Sequence, residues 1–108
     1  MTSQGSPYGR FKRALETGNL TIIRAAAAEL PRVDLGDALR ILWLMREDEL
    51  LYERAAMRWL GRFCLECPSA SLEDVETAAK ALRSVSWKPQ EATRVLADIC
   101  AGKGITRV

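Results

Sequence analysis

The sequence predicts an all-α protein of six helices. We expect these to pair as three antiparallel helical hairpins wound into a compact right-handed superhelix, as in helical repeats. Two observations predict this class: apolar residues recur at spacings of three and four, and proline, glycine or a capping side chain marks each boundary. The apolar run 41–45 could form a buried strand, but its flanks keep helical spacing and no second strand candidate exists. The predicted hairpins cover 6–30, 34–67 and 71–101.

Capping residues delimit both helices of the first hairpin. Ser6 precedes helix 1, with Pro7 in the first turn, and Gly18 ends it. Asn19 caps helix 2, and Pro31 stops it. The inward faces are expected to be Tyr8, Phe11, Ala14 and Leu15 in helix 1, and Ile22, Ile23, Ala26, Ala27 and Leu30 in helix 2.

The second hairpin holds the most apolar helix and the clearest one. Helix 3 follows the cap Asp34, with Asp37 completing an imperfect capping box, and it is apolar nearly all round, which is typical of a buried helix. Helix 4 runs from about Asp48 to Cys67 and is stopped by Pro68. The core stripe of helix 3 is expected to be Leu35, Ala38, Leu39, Leu42 and Met45. That of helix 4 is expected to be Tyr52, Ala55, Ala56, Trp59, Leu60, Phe63, Cys64 and Cys67.

The third hairpin has the same boundary signals. Ser71 caps helix 5 with Asp74 at the reciprocal position, and Pro89 opens helix 6, which ends at Gly102 and Gly104. Their inward faces are expected to be Leu72, Val75, Ala79 and Leu82, and Val95, Leu96, Ile99 and Cys100.

A possible internal repeat links the hairpins. Residues 29–37 match residues 66–74 at an offset of 37, with Glu, Pro, Leu and Asp identical, and the same offset aligns Ile22, Trp59 and Leu96. This period lies in the range of helix-hairpin repeats, although the tetratricopeptide pattern is not met. We expect one domain over 6–101, between a disordered segment 1–5 and a frayed tail 102–108.

Three stretches carry a resemblance to a known group. They are 11–20 (FKRALETGNL), 28–33 (AELPRV) and 52–60 (YERAAMRWL). Together they resemble a group of short, uncharacterised all-helical proteins of actinobacteria, over most of residues 8–100. The resemblance implies a bacterial cytoplasmic origin and brings no activity with it.

Composition excludes several classes of function. The 108 residues are 48% hydrophobic and 28% charged, which is ordinary for a globular domain, and they include no histidine, the commonest general base and metal ligand. The net charge of +2 is too close to balance to indicate a nucleic-acid binder, although both ends of the chain are basic.

No apolar run approaches the length of a membrane span, and no secretory signal is visible. With three cysteines, which cannot all pair, we expect a reducing cytoplasm.

Cys64 and Cys67 form the only motif that a pattern search would select. A redox C-x-x-C places its first thiolate at a helix N-terminus, whereas this pair lies at a predicted C-terminal end. Zinc needs four ligands, and only Cys100 and a carboxylate could complete the set. We therefore expect buried packing residues, no metal and no cofactor.

Arg54, Arg58 and Arg62 form an arginine ladder on the side of helix 4 that points away from its core stripe. Like charges at this spacing repel, so we expect Glu66, neighbouring acids, an acidic partner or a phosphate backbone to offset them. Trp87, just before helix 6, is either a hydrophobic staple closing onto Ala92 or an exposed anchor for a partner.

No catalytic residues are visible, so we expect a protein that is not an enzyme unless a cofactor or another subunit supplies the chemistry. The leading hypothesis is a protein–protein interaction module, with Arg54, Arg58, Arg62 and Trp87 as the partner-binding residues. The alternative is a small nucleic-acid-binding protein that uses the basic terminal segments, including the aromatic-containing patch 8–13. The partner protein and the oligomeric state are left open.

Overall fold

A computed structural model describes residues 6–105, and every regular element in that range is an α-helix. The helices are α1 (Pro7–Thr17), α2 (Leu20–Ala27), α3 (Leu35–Leu44), α4 (Glu49–Glu66), α5 (Leu72–Ser84) and α6 (Pro89–Gly102). The all-α prediction is confirmed. The predicted disordered segment 1–5 and residues 106–108 of the predicted tail lie outside the described residues. The chain divides into two compact units, the first ending at Asp34 and the second beginning at Leu35.

The first unit is a hairpin of α1 and α2 with the predicted caps. Ser6 Oγ accepts a 2.9 Å hydrogen bond from the backbone N–H of Gly9. Gly18 ends α1 with φ of 68°, a left-handed conformation that costs glycine little because it has no Cβ. The Asn19 side chain accepts from the N–H of Thr21 at 3.0 Å and so caps α2. These short-range predictions are confirmed.

Helix α2 differs from the prediction at its C-terminus and on one face. It ends at Ala27 rather than at Pro31, and the N–H of Leu30 bonds back to the carbonyl of Ala27, an i→i−3 bond that tightens the last turn. Ile23 is fully buried, whereas Ile22 is 48% exposed. Adjacent helical residues point about 100° apart, so a narrow covered face takes only one of the two.

The second unit contains the hairpins α3–α4 and α5–α6, with α4 also packed against α5. Its core centres on Trp59, whose ring stacks on Phe63 with centroids 5.6 Å apart. The indole N–H of Trp59 donates a buried 2.9 Å hydrogen bond to the carbonyl of Leu35, which joins α4 to the start of α3. The buried members of this core are Leu35, Leu39, Leu42, Tyr52, Ala56, Trp59, Phe63, Cys67, Ala78, Ala81, Leu82, Val85, Ala92, Leu96 and Cys100.

The α5–α6 hairpin is fixed at its open end by polar contacts. The predicted capping box is present, with Ser71 N–H donating to Asp74 and Asp74 N–H donating to the Ser71 hydroxyl, at 3.0 and 3.1 Å. The Lys103 ammonium contacts Asp74 at 2.9 Å and the Ser69 carbonyl at 3.0 Å. The start of the predicted frayed tail is therefore anchored: Lys103 bonds back to α5, and Ile105 N–H donates to the Cys100 carbonyl at 2.8 Å.

Leu72 is a second correction to the predicted faces. It was expected to point inward, but it is 85% exposed as the first residue of α5, while Ala78 and Ala81 are buried. The 37-residue offset survives in the second unit, since α3 and α5 begin 37 residues apart at Leu35 and Leu72. The first hairpin does not follow the repeat. The 37-residue offset would place a counterpart of the long helix α4 there, but the chain forms two short helices separated by Gly18. The superhelical arrangement stays a prediction.

Candidate functional site

A groove of about 570 Å³ lies along α4 and the C-terminal half of α5 in the second unit. Its floor includes Tyr52, Ala56, Leu60 and Leu82. The α4 residues among them follow the i, i+4, i+8 spacing of one helix face, so a single face of α4 forms most of the floor. The groove ends at the turn between α5 and α6, where Trp87 lies.

Tyr52 closes the bottom of the groove with a buried hydrogen bond. Its hydroxyl donates to the carbonyl of Leu82 at 2.7 Å. Leu82 lies in the last turn of α5, where carbonyls have no partner within the helix, so the phenol satisfies a group that would otherwise be orphaned. Burial raises the pKa of Tyr52 to about 12, so the phenol remains a donor at alkaline pH values where an exposed tyrosine ionises.

Two large apolar side chains form exposed edges of the groove. Trp87 and Met57 are each 66% exposed and both line it. The α5–α6 turn holds Trp87 in place, since the N–H groups of Trp87 and Lys88 both bond to the carbonyl of Ser84, at 3.2 and 2.8 Å. Because two thirds of the surface of Trp87 is exposed, its indole is better explained as an exposed anchor for a partner than as a hydrophobic staple closed onto Ala92.

Four charged side chains border the same groove. Glu49 and Glu53 lie one turn apart on α4, while Arg83 is on α5 and Arg46 precedes α4. Within residues 6–105 none of these four forms an ion pair. Arg46 is instead held against Trp43, with its guanidinium 4.3 Å from the ring centroid and a 2.8 Å hydrogen bond to the Trp43 carbonyl. The groove therefore offers both signs of charge around an apolar floor.

The arginine ladder lies away from this groove. Arg62 bonds to Glu66 at 2.7 Å, which confirms the predicted i,i+4 partner, while Arg54 and Arg58 are exposed and form no ion pair within residues 6–105. At about 100° per residue, Arg58 lies on the side of α4 roughly opposite Ala56 and Leu60. The structure thus does not bring together the ladder and Trp87, the two groups that the sequence analysis named as candidate partner-binding residues.

The basic terminal segments are partly neutralised by contacts within the chain. Arg10 forms a 2.5 Å ion pair with Glu29, and the Lys12 ammonium lies 5.9 Å from the centre of the Tyr8 ring. Phe11 is fully buried, which confirms core packing rather than base stacking for this residue. These contacts leave the patch 8–13 with fewer groups for binding phosphate.

The three cysteines divide into one exposed and two buried thiols. Cys64 is exposed, which corrects the expectation that it packs in the core, whereas Cys67 and Cys100 are buried. Burial raises the pKa of the Cys100 thiol to about 11 and also raises the pKa of Cys67. Among residues 6–105 no three acidic or cysteine side chains are arranged to hold a metal ion.

No family model matches the chain, and neither a curated protein nor a solved structure shows significant similarity to it. Within the described part of the chain, no helix is long and apolar enough to cross a bilayer.

Sequence reasoning found Trp87 but missed the rest of the groove. Met57 was visible as an apolar residue off the main stripe of α4, and Glu49 had a sufficient explanation in the helix dipole at the start of α4. Nothing local connects either residue to Arg83, which lies on another helix. Only the packing of α4 against α5 brings these side chains to one surface.

Proposed function

We propose that this chain is a non-enzymatic protein–protein interaction module that holds its partner in the α4–α5 groove. The single observation that carries the proposal is the exposed indole of Trp87 at the edge of a 570 Å³ groove with an apolar floor. Tryptophan is enriched among the residues that dominate binding energy in protein interfaces, above all where it can be fully desolvated. The three free thiols support a reducing bacterial cytoplasm as its location.

The contacts around the groove support binding rather than catalysis. Its floor links the two helices that form it, because the Tyr52 hydroxyl on α4 bonds to the Leu82 carbonyl on α5. Its titratable groups, Glu49, Glu53, Arg46 and Arg83, stand on the border, where they can pair with charges on a partner. An apolar centre with a polar border is the usual anatomy of a protein interface.

Affinity capture from a lysate of the source organism tests this function. The full chain, a groove variant (Trp87→Ala with Met57→Ala) and a ladder variant (Arg54→Ala with Arg58→Ala) are immobilised in parallel. The lysate is treated with nuclease, and bound proteins are identified by mass spectrometry at low and high salt. All four substituted residues are exposed, so each variant is expected to keep the fold.

We expect the full chain and the ladder variant to retain the same protein, and the groove variant to lose it. Retention by the groove variant with loss by the ladder variant would move the site to Arg54 and Arg58. Recovery of nucleic acid alone, in a control without nuclease, would favour the basic terminal segments instead.

A further inference from the structure

Charges of both signs border the groove, and acidic residues on α4 face a basic residue on α5. Glu49 and Glu53 stand one turn apart on α4, where like charges repel, and Arg83 stands on the facing helix α5. Although they line one groove, neither glutamate forms an ion pair with Arg83 or with any other residue in 6–105. With Arg46, the groove border carries two acids and two bases, so its net charge is zero.

A balanced border restricts the chemistry of the occupant. A partner of one charge sign would pair with the border charges of opposite sign and place like charges against the others, which costs affinity. The occupant must therefore present acidic and basic groups side by side, with an apolar group between them for the floor. This chain presents that combination itself, because Met57 and Trp87 project from the same border.

In a twofold-symmetric dimer, the apolar and charged groups of one copy can contact the matching groups of the other. In an isologous dimer both chains use the same patch, so each residue pair across the interface occurs twice. The exposed apolar edge of one copy then enters the groove of the other, and the acidic side chains on α4 of one copy meet Arg83 on α5 of the other. No other component is needed to pair Glu53 with Arg83.

We propose that the occupant of the groove is a second copy of this chain. In this dimer, Trp87 and Met57 of each copy pack into the groove of the other, and Glu53 of each copy pairs with Arg83 of the other. The proposal rests on the proposed function, for which it names the partner.

Charge reversal provides the test, using the full chain and sedimentation equilibrium over a range of concentrations. Glu53→Arg leaves the groove border positive, and Arg83→Glu leaves it negative, so each variant repels itself. An equimolar mixture of the two restores opposite charges at both copies of the contact. Arg46 is left unchanged because it is already held against Trp43.

We expect the unmodified chain to dimerise, each single variant to dimerise about tenfold or more weakly, and the mixture to recover the dimer as a heterodimer. Trp87→Ala should also weaken the dimer without changing helix content by circular dichroism. Arg58→Glu, on the opposite side of α4, is the matched control and should leave the dimer intact.

A chain that sediments as a monomer at every concentration overturns the proposal, and so does a dimer that persists in both the Glu53→Arg and the Trp87→Ala variants. A monomeric chain that still captures a protein through the groove overturns the dimer alone and leaves the proposed function standing. A monomer that captures nothing overturns both.

Discussion

The hydroxyl of Tyr52 donates a 2.7 Å hydrogen bond to the carbonyl of Leu82, thirty residues away. This bond joins the first turn of α4 to the last turn of α5 and lies directly beneath the groove. It supplies a partner to a C-terminal carbonyl of α5 and links the two helices that line the groove. The stability of the second unit and the shape of its candidate site therefore depend on the same contact.

Removing the Tyr52 hydroxyl should destabilise the protein measurably. Tyr52→Phe keeps the ring but leaves the buried Leu82 carbonyl without this donor, a change that costs about 1–3 kcal/mol. Chemical denaturation followed by circular dichroism measures the change in the free energy of unfolding. An unchanged midpoint would mean that the bond contributes nothing.

Stability should also fall at alkaline pH through Tyr52. Its pKa in the folded state is about 12, above the ordinary tyrosine value, so the unfolded chain ionises first as the pH rises. The contribution is complete below about pH 10 and is lost between about pH 10 and 12. We expect Tyr52→Phe to show a shallower decline in unfolding free energy over that window. Parallel declines in the two proteins would contradict the assignment.

The capping box at the start of α5 should contribute at the level of an ordinary N-cap. Ser71→Ala removes the acceptor of the Asp74 N–H and should cost about 1 kcal/mol of unfolding free energy. Ser86→Ala is the control, since Ser86 is exposed and its hydroxyl forms no hydrogen bond within residues 6–105. Equal stability of the two variants would show that the Ser71 cap contributes nothing to the free energy of unfolding.

The lowered pKa of Asp74 predicts that the protein loses further stability in acid. The backbone N–H of Ser71 and then the Lys103 ammonium hold the pKa of Asp74 below its usual value. Its contribution is therefore complete above the ordinary aspartate pKa and is lost as the pH falls through the lowered value. Asp74→Asn should flatten the acid side of the stability profile, measured by thermal unfolding. A profile identical to that of the unmodified chain would show that Asp74 is not linked to folding.

The thiols should differ sharply in reactivity. Cys64 is exposed and should react rapidly with a thiol reagent, while Cys67 and Cys100 are buried with raised pKa values and should react only as the protein opens. Cys64→Ser should abolish the fast phase of a colorimetric thiol assay. Rapid reaction of two or more thiols in the native state would contradict the burial of this pair.

The caps could be predicted from the sequence because each depends on neighbouring residues. The side chains of three caps, Ser6, Asn19 and Ser71, accept hydrogen bonds from N–H groups two or three residues ahead. Gly18 ends α1 because glycine adopts the left-handed conformation at little cost. The early end of α2 could not be predicted, since i→i−3 bonds tighten its last turn ahead of Pro31.

Which part of an apolar stripe is covered depends on other helices. Periodicity placed Leu72 and Cys64 on core faces, yet both are exposed. Leu72 is the first residue of α5, whereas Cys64 points about 100° away from its buried neighbour Phe63, outside the covered part of the α4 stripe. The groove was missed for the same reason: it joins Met57 to Arg83 across two helices. Sequence spacing describes one helix at a time.

The measurement that most directly tests the groove as the binding surface is site-specific photo-crosslinking in living cells of the source organism. A photoreactive amino acid replaces Met57, which lines the groove, or its neighbour Arg58, which faces the opposite side of α4. We predict a discrete crosslinked protein, either a second copy or another chain, from position 57 and none from position 58. A crosslink from position 58 alone would contradict the groove as the binding surface.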